Sequence, residues 1–124
     1  MSVRLAEPSQ VLDRLFEVIE RRRDERPEGS YVVSLLAGGL PTITGKVQEE
    51  AEEVVQAALH ESDDALAREV ADLLFHLLVL LAARGIDPEA AYRELARRFG
   101  IGGLEEKASR DGRAGRGPSR GEEA

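Results

Sequence analysis

The chain has 124 residues, 42% of them hydrophobic and 33% charged, a balance that suits one soluble domain with its own core. Aromatic residues make up only 4%, so the core is aliphatic, and a formal net charge of −7 argues against general nucleic-acid binding, which favours basic surfaces. The absence of cysteine excludes disulfides, thiolate catalysis and sulfur-ligated zinc. A nucleotide substrate stays open, because a divalent cation can carry positive charge to its phosphates. No apolar signal segment opens the sequence, so a cytoplasmic protein is expected. The longest apolar stretch, Leu73 to Ala83, is interrupted by His76 and is too short for a bilayer, which needs about 20 residues. It reads as a buried helix, with no membrane partner.

In chain order, Ser9 after Pro8 can cap a first helix, in which Val11, Leu12, Leu15, Phe16 and Ile19 recur at helical spacing. Pro27 and Gly29 end it near Arg26. Ser30 can cap a short segment from Tyr31 to Ala37, closed by Gly38 and Gly39. Pro41 and Thr42 then open a longer helix to about His60, with Val47, Ala51, Val54, Val55 and Ala58 as its apolar positions. Ser62 caps the next, Asp63 and Asp64 suit its first turn, and Gly85 is its left-handed stop after Arg84. Asp87 and Pro88 start a last helix, whose stripe Tyr92, Leu95, Ala96 and Phe99 is expected to be buried before Gly100 ends it. The fold class is therefore all-α, a compact bundle of about four to five helices. Residues 1–107 form the domain, and the Gly/Arg-rich residues 108–124, without apolar periodicity, form a disordered tail. Because Leu73 to Ala83 is apolar nearly all round, it needs cover on every side, which a homodimer supplies.

The informative residues are acidic. Glu50 with Glu53, and Glu69 with Asp72, are pairs three apart, hence neighbours on one helix face. Each pair flanks the apolar stripe of its helix; the second stripe runs through Leu66, Val70, Leu73 and Leu77. The loop near His60 to Ser62 is short, which makes the two helices antiparallel neighbours and lets the pairs face each other. Four converging carboxylates repel unless compensated, and a hard cation such as Mg²⁺, with oxygen ligands, is the natural compensation. The plain alternative is a solvated acidic face. Lys46, one turn before Glu50, is either an ordinary ion-pair partner or a contact for phosphate or carboxylate within the site; Lys46 and Lys107 are the only lysines. His76, one turn after Asp72, reads as a core histidine hydrogen-bonded to a neighbour, ahead of a metal ligand. Arg21, Arg22 and Arg23 read as a solvated cluster, with phosphate contact second. No phosphate loop, dinucleotide fingerprint or zinc motif is present, and two histidines cannot build a histidine-rich metal site.

Glu49-Glu50-x-x-Glu53 followed by Glu69-x-x-Asp72 resembles the signature of the all-α, MazG-like nucleoside triphosphate pyrophosphohydrolases. Together with Ser30-Tyr31, Leu35, Gly39, Lys46-Val47, Asp72-Leu73-Leu74-Phe75-His76-Leu77-Leu78-Val79-Leu80-Leu81 and Glu106-Lys107, the chain from Leu12 to Arg110 resembles the phosphoribosyl-ATP pyrophosphohydrolases. Gln48 departs from the family's usual glycine, and Glu52 from a small or apolar residue; neither removes a ligand candidate. The resemblance implies hydrolysis of phosphoribosyl-ATP to phosphoribosyl-AMP and diphosphate, an early step of histidine biosynthesis, with Mg²⁺ as cofactor. It implies Glu50, Glu53, Glu69 and Asp72 as metal ligands and catalytic residues. Glu49 is then a further ligand or a base that orients the water, and Lys46, Ser30, Tyr31 and Lys107 contact the substrate. The cyclohydrolase sometimes fused to relatives has no room here. Two other readings stay open: a house-cleaning pyrophosphatase of the same superfamily, acting on non-standard triphosphates, and a non-catalytic helical dimer or adaptor.

Overall fold

A computed structural model describes residues 8–101. The expected tail and Lys107 lie outside the described residues. All regular structure described is helical. A 3₁₀ turn, Pro8–Gln10, leads into α1 (Val11–Glu25), followed by α2 (Tyr31–His60), α3 (Asp63–Ala83) and α4 (Glu89–Phe99). The all-α expectation holds. The chain divides into two units, one up to Ile86 and one from Asp87, each described separately.

In the first unit, local chemistry sets the helix ends. The N-cap of α1 is Gln10, one residue after the Ser9 expected from sequence, and its side chain makes no capping bond. The 3₁₀ turn takes up the extra residue. Arg26 closes α1 in the left-handed region at φ 52°, its N–H donating to the Arg22 carbonyl at 2.8 Å. Ser30 Oγ accepts the Val33 N–H at 3.3 Å and starts α2 as expected. Gly39, at φ 76° and ψ −176°, then breaks α2 into two limbs. That backbone region is essentially reserved for glycine. Pro41 falls in the first turn of the second limb, where its missing N–H costs little. The short segment and the longer helix read from the sequence are these two limbs.

Glu61 and Ser62 connect α2 to α3, and Ser62 Oγ accepts the Ala65 N–H at 3.1 Å. So short a turn folds α3 back along α2, and these two helices share the most extensive interface of the unit. α3 ends in paired bonds from Ile86 N–H to the Leu81 carbonyl (2.9 Å) and from Gly85 N–H to the Ala82 carbonyl (3.1 Å), with Gly85 at φ 69°. α1 packs against both helices. The core comprises Phe16 and Ile19 from α1, Val32, Leu35 and Ile43 from α2, and Leu78, Val79 and Ala82 from α3.

Packing decides which apolar positions of α2 and α3 are buried. On α2 the buried residue of the second limb's far end is Ala57, while Val55 and Ala58 are exposed. On α3 the inward residues are His76, Leu78, Val79 and Ala82, while Val70 and Leu77 of the apolar stripe are exposed within one copy. A helix apolar nearly all round carries no periodic signal for which side meets its neighbours. Of the arginine cluster, Arg21 and Arg22 are exposed and Arg23 is only partly so. Its Nη1 donates to the Ala82 carbonyl at 3.1 Å, beside the Gly85 N–H, and ties α1 to the end of α3.

In the second unit α4 starts one residue later than expected, with Pro88 at the N-cap, and Asp87 Oδ1 just before it accepts the Glu89 N–H at 2.8 Å. Gly100 closes it at φ 64°. Of the expected stripe, Tyr92, Ala96 and Phe99 are half-buried and Leu95 is 50% exposed. Glu94 accepts bonds from Arg97 and Arg98, and these hold its carboxyl down at about 2.

Candidate active site

The acidic residues of α2 and α3 meet where the two antiparallel helices run side by side. Glu50, Glu69 and Asp72 each place a carboxylate oxygen so that the three lie within 4.8 Å of one another. Glu50 and Glu69 are half-buried and Asp72 is exposed, so the group opens to solvent on one side. Burial, first, and then the negative charges of Glu53, Asp72, Glu50 and Glu61 push the Glu69 carboxyl above its ordinary value.

Glu53 is exposed and stands outside the three-oxygen group, yet is close enough to be the largest charge acting on Glu69. Glu49 is also exposed and accepts a bond from Lys46 Nζ at 3.0 Å; the same ammonium lies 4.0 Å from Glu50. The bond to Glu49 raises the Lys46 ammonium above its ordinary range, with the Tyr31 phenol and Glu50 adding to the effect against partial desolvation. Lys46 thus joins the outer acid, Glu49, to the converging group.

Ser30 spends its hydroxyl on capping α2. Tyr31, 50% exposed, lines an open cleft of about 580 Å³ with Arg26, Glu28, Ser30 and Ser34. Its hydroxyl lies 2.9 Å from Nε2 of His76, and its ring stacks on Phe75 at 5.9 Å between centroids. His76 is 4% exposed, and its Nδ1 lies 2.7 Å from the backbone carbonyl of Asp72, one turn back. The expected bond to Asp72 therefore exists, to its main chain. The partner Tyr31 was not legible in the sequence, because 45 residues separate the two rings.

A family model for phosphoribosyl-ATP pyrophosphohydrolase matches residues 12–99. The chain belongs to the phosphoribosyl-ATP pyrophosphohydrolase family. The match stops short of Arg110, the far end of the resemblance read from sequence, and covers both acidic elements. A phosphoribosyl-ATP pyrophosphatase of Methylococcus capsulatus is 53% identical over 100 residues, covering 81% of this chain and 95% of that protein. That of Erythrobacter litoralis is 54% identical over 99 residues, covering 80% and 95%. That of Sulfurisphaera tokodaii is 50% identical over 91 residues, covering 73% and 97%. Membership of a phosphoribosyl-ATP pyrophosphohydrolase family makes the protein a hydrolase and gives the acid convergence of α2 and α3 a chemical context. Among the described residues no helix is long and apolar enough to cross a membrane.

The donor set fits a hard cation. Glu50, Glu69 and Asp72 offer only oxygen, the preference of Mg²⁺, and two opposite oxygens around that ion stand about 4.2 Å apart.

Proposed function

We propose that the protein hydrolyses phosphoribosyl-ATP to phosphoribosyl-AMP and diphosphate, an early step of histidine biosynthesis in the cytoplasm. The observation that carries this reading is the meeting of Glu50, Glu69 and Asp72 within 4.8 Å in a chain of this family. Glu50, Glu69 and Asp72, with Glu53 beside them, would hold Mg²⁺. When bound, Mg²⁺ neutralises phosphate charge and lowers the pKa of a coordinated water.

The remaining work falls to the chain's own groups. The acids face solvent on one side, so the triphosphate can approach them from there. Glu49 is exposed next to the group and is the candidate to orient the attacking water and accept its proton as that water's oxygen bonds to phosphorus. With the water's oxygen bonded to the α phosphorus, the bond from that phosphorus to the oxygen bridging it to the β phosphorus breaks, and diphosphate leaves with the bridging oxygen. Lys46, already bonded to Glu49, restrains that carboxylate and offers an ammonium to a phosphate oxygen. Tyr31 and Ser30 lie at the 580 Å³ cleft, large enough to admit part of a nucleotide. Lys107 completes the proposed substrate contacts.

We further propose a homodimer. Val70, Leu74 and Leu77 are 38%, 39% and 37% exposed, and their spacing of four and three puts them on one face of α3. A second copy of this chain would cover that face, and no nucleic-acid or membrane partner is invoked.

The test is diphosphate release from phosphoribosyl-ATP with and without Mg²⁺, beside a panel of standard and modified nucleoside triphosphates. Metal-dependent turnover of phosphoribosyl-ATP well above the panel is expected. Faster turnover of a modified triphosphate would instead assign a house-cleaning role, and no turnover of any nucleotide would leave the helical adaptor.

A further inference from the structure

The two bonds of His76 determine what its neighbour Tyr31 can do. Nδ1 lies 2.7 Å from the Asp72 carbonyl oxygen, which can only accept, so Nδ1 carries a proton. A neutral imidazole has one ring proton, which leaves Nε2 as an acceptor. The Tyr31 hydroxyl, 2.9 Å from Nε2, must then donate its single proton to the ring. What remains on the phenolic oxygen is lone pairs.

We propose that His76 is a positioning residue that takes up the Tyr31 proton and leaves Tyr31, whose phenol lies within electrostatic reach of Lys46, as a hydrogen-bond acceptor, so that Tyr31 recognises a donor group of the nucleotide, a ribose hydroxyl or the purine amino group, and not a phosphate oxygen. The inference rests on the proposed nucleotide hydrolysis and goes beyond it in assigning a polarity to one contact. The arrangement is held from three sides. His76 is 4% exposed and tied one turn back to Asp72; Phe75 stacks against the Tyr31 ring; and the Phe75 and His76 rings meet edge-on at 5.0 Å. Phosphate oxygens are acceptors and need donors, which Lys46 supplies; a tyrosine without a free proton adds nothing to them. It discriminates in favour of nucleosides that present an N–H or O–H at its position.

The first measurement needs no substrate. Nitrogen-15 spectra of histidine-labelled protein at about pH 8, above the ordinary imidazole range, read the tautomer directly. The expected result is a protonated Nδ1 and a bare Nε2 for His76, with the Nε2 resonance shifting in Tyr31→Phe. A protonated Nε2 overturns the proposal.

The second measurement is kinetic. Tyr31→Phe should raise KM about tenfold, the worth of one neutral hydrogen bond, with kcat within about twofold. His76→Phe, which fills the volume and unfixes the hydroxyl but leaves its lone pairs, should raise KM by less than Tyr31→Phe, and the double variant should match Tyr31→Phe. His76→Gln keeps an acceptor for the tyrosine and should recover most of the loss. If Tyr31 instead donated to phosphate, freeing its proton would leave KM unchanged or lower; that result in a folded His76→Phe, or an unchanged KM in Tyr31→Phe, overturns the proposal. Should His76→Phe fail to fold, the tautomer, Tyr31→Phe and His76→Gln carry the test. Substrate analogues lacking a ribose hydroxyl or the amino group identify the donor: one should lose about tenfold in KM against the native protein and nothing against Tyr31→Phe. If neither does, the proposal falls. Should the native protein turn over a different nucleotide, the histidine-pathway reading fails while these arms run unchanged on that nucleotide.

Discussion

At the residue scale, the acids of α2 and α3 are close neighbours that cost stability without a counter-charge. Glu69 shows this most clearly. Its carboxyl is raised, by burial first and by four acidic neighbours next, so the folded chain holds that proton more tightly than the unfolded one. Its contribution therefore turns unfavourable as pH rises above the ordinary value of 4.5 and vanishes below it. Glu69→Gln should raise the melting temperature of metal-free protein at neutral pH, and the gain should disappear below the ordinary range. Thermal melts across pH check it; a gain of equal size at every pH would show that charge is not the cause. Turnover should separate the same acids by position. Glu53→Gln and Asp72→Asn should each lower diphosphate release by about 100-fold or more, since even groups that merely brace a metal ligand cost about 10–100-fold. Glu52 is exposed and bonded to Gln56 at 3.1 Å, one turn on, so Glu52→Gln should stay within about twofold. Near-native turnover in Glu53→Gln would remove Glu53 from the ligand set and leave Glu50, Glu69 and Asp72.

At the scale of elements, two glycines of α2 make opposite predictions. Gly39 breaks the helix at φ 76°, and the nearest atom to an added Cβ is Pro41 Cδ at 3.7 Å. Space is therefore available and the backbone is what resists: Gly39→Ala should destabilise by about 1–3 kcal/mol. Gly45 has helical backbone and nothing within 4 Å of an added Cβ, so Gly45→Ala should stabilise by about 0.5–1 kcal/mol. Urea denaturation of the two variants measures both signs; stabilisation by Gly39→Ala would mean that the break is not needed for the fold. The break matters for the site. It lets the first limb bring Tyr31 to His76 while the second carries Lys46 and Glu50 along α3.

At the scale of the molecule, α3 is covered on its inner side and open on the face of Val70, Leu74 and Leu77. Three large aliphatic side chains in heptad-like spacing on an open face favour self-association. Light scattering should give the mass of a dimer at micromolar concentration, and Leu74→Asp with Leu77→Asp should shift it to the monomer, because a buried unpaired charge is costly. Both residues are partly exposed within one copy, so the variant should keep its helical circular dichroism. A native protein that stayed monomeric would refute the dimer without touching the acid cluster, whose three residues all belong to one copy.

What the sequence by itself determined is local. Ser30 and Ser62 cap helices, Asp87 bonds the first N–H of α4, and Gly85 and Gly100 stop helices, because capping and left-handed turns depend on residues within one turn of each other. The acidic pairs were legible for the same reason: residues three apart share a helix face whatever surrounds them. Which members of those pairs meet was decided by the tertiary fold. The antiparallel register of α2 and α3 draws Glu50 to Glu69 and Asp72 and leaves Glu53 at the edge. The inner side of α3 was likewise beyond periodicity, since its apolar residues surround the helix and only packing against α1 and α2 selects His76, Val79 and Ala82. The pairing of Tyr31 with His76 is the furthest from local rules. It needs a broken α2, a two-residue turn and an inward histidine at once, and a contact across 45 residues leaves no trace in the spacing of either.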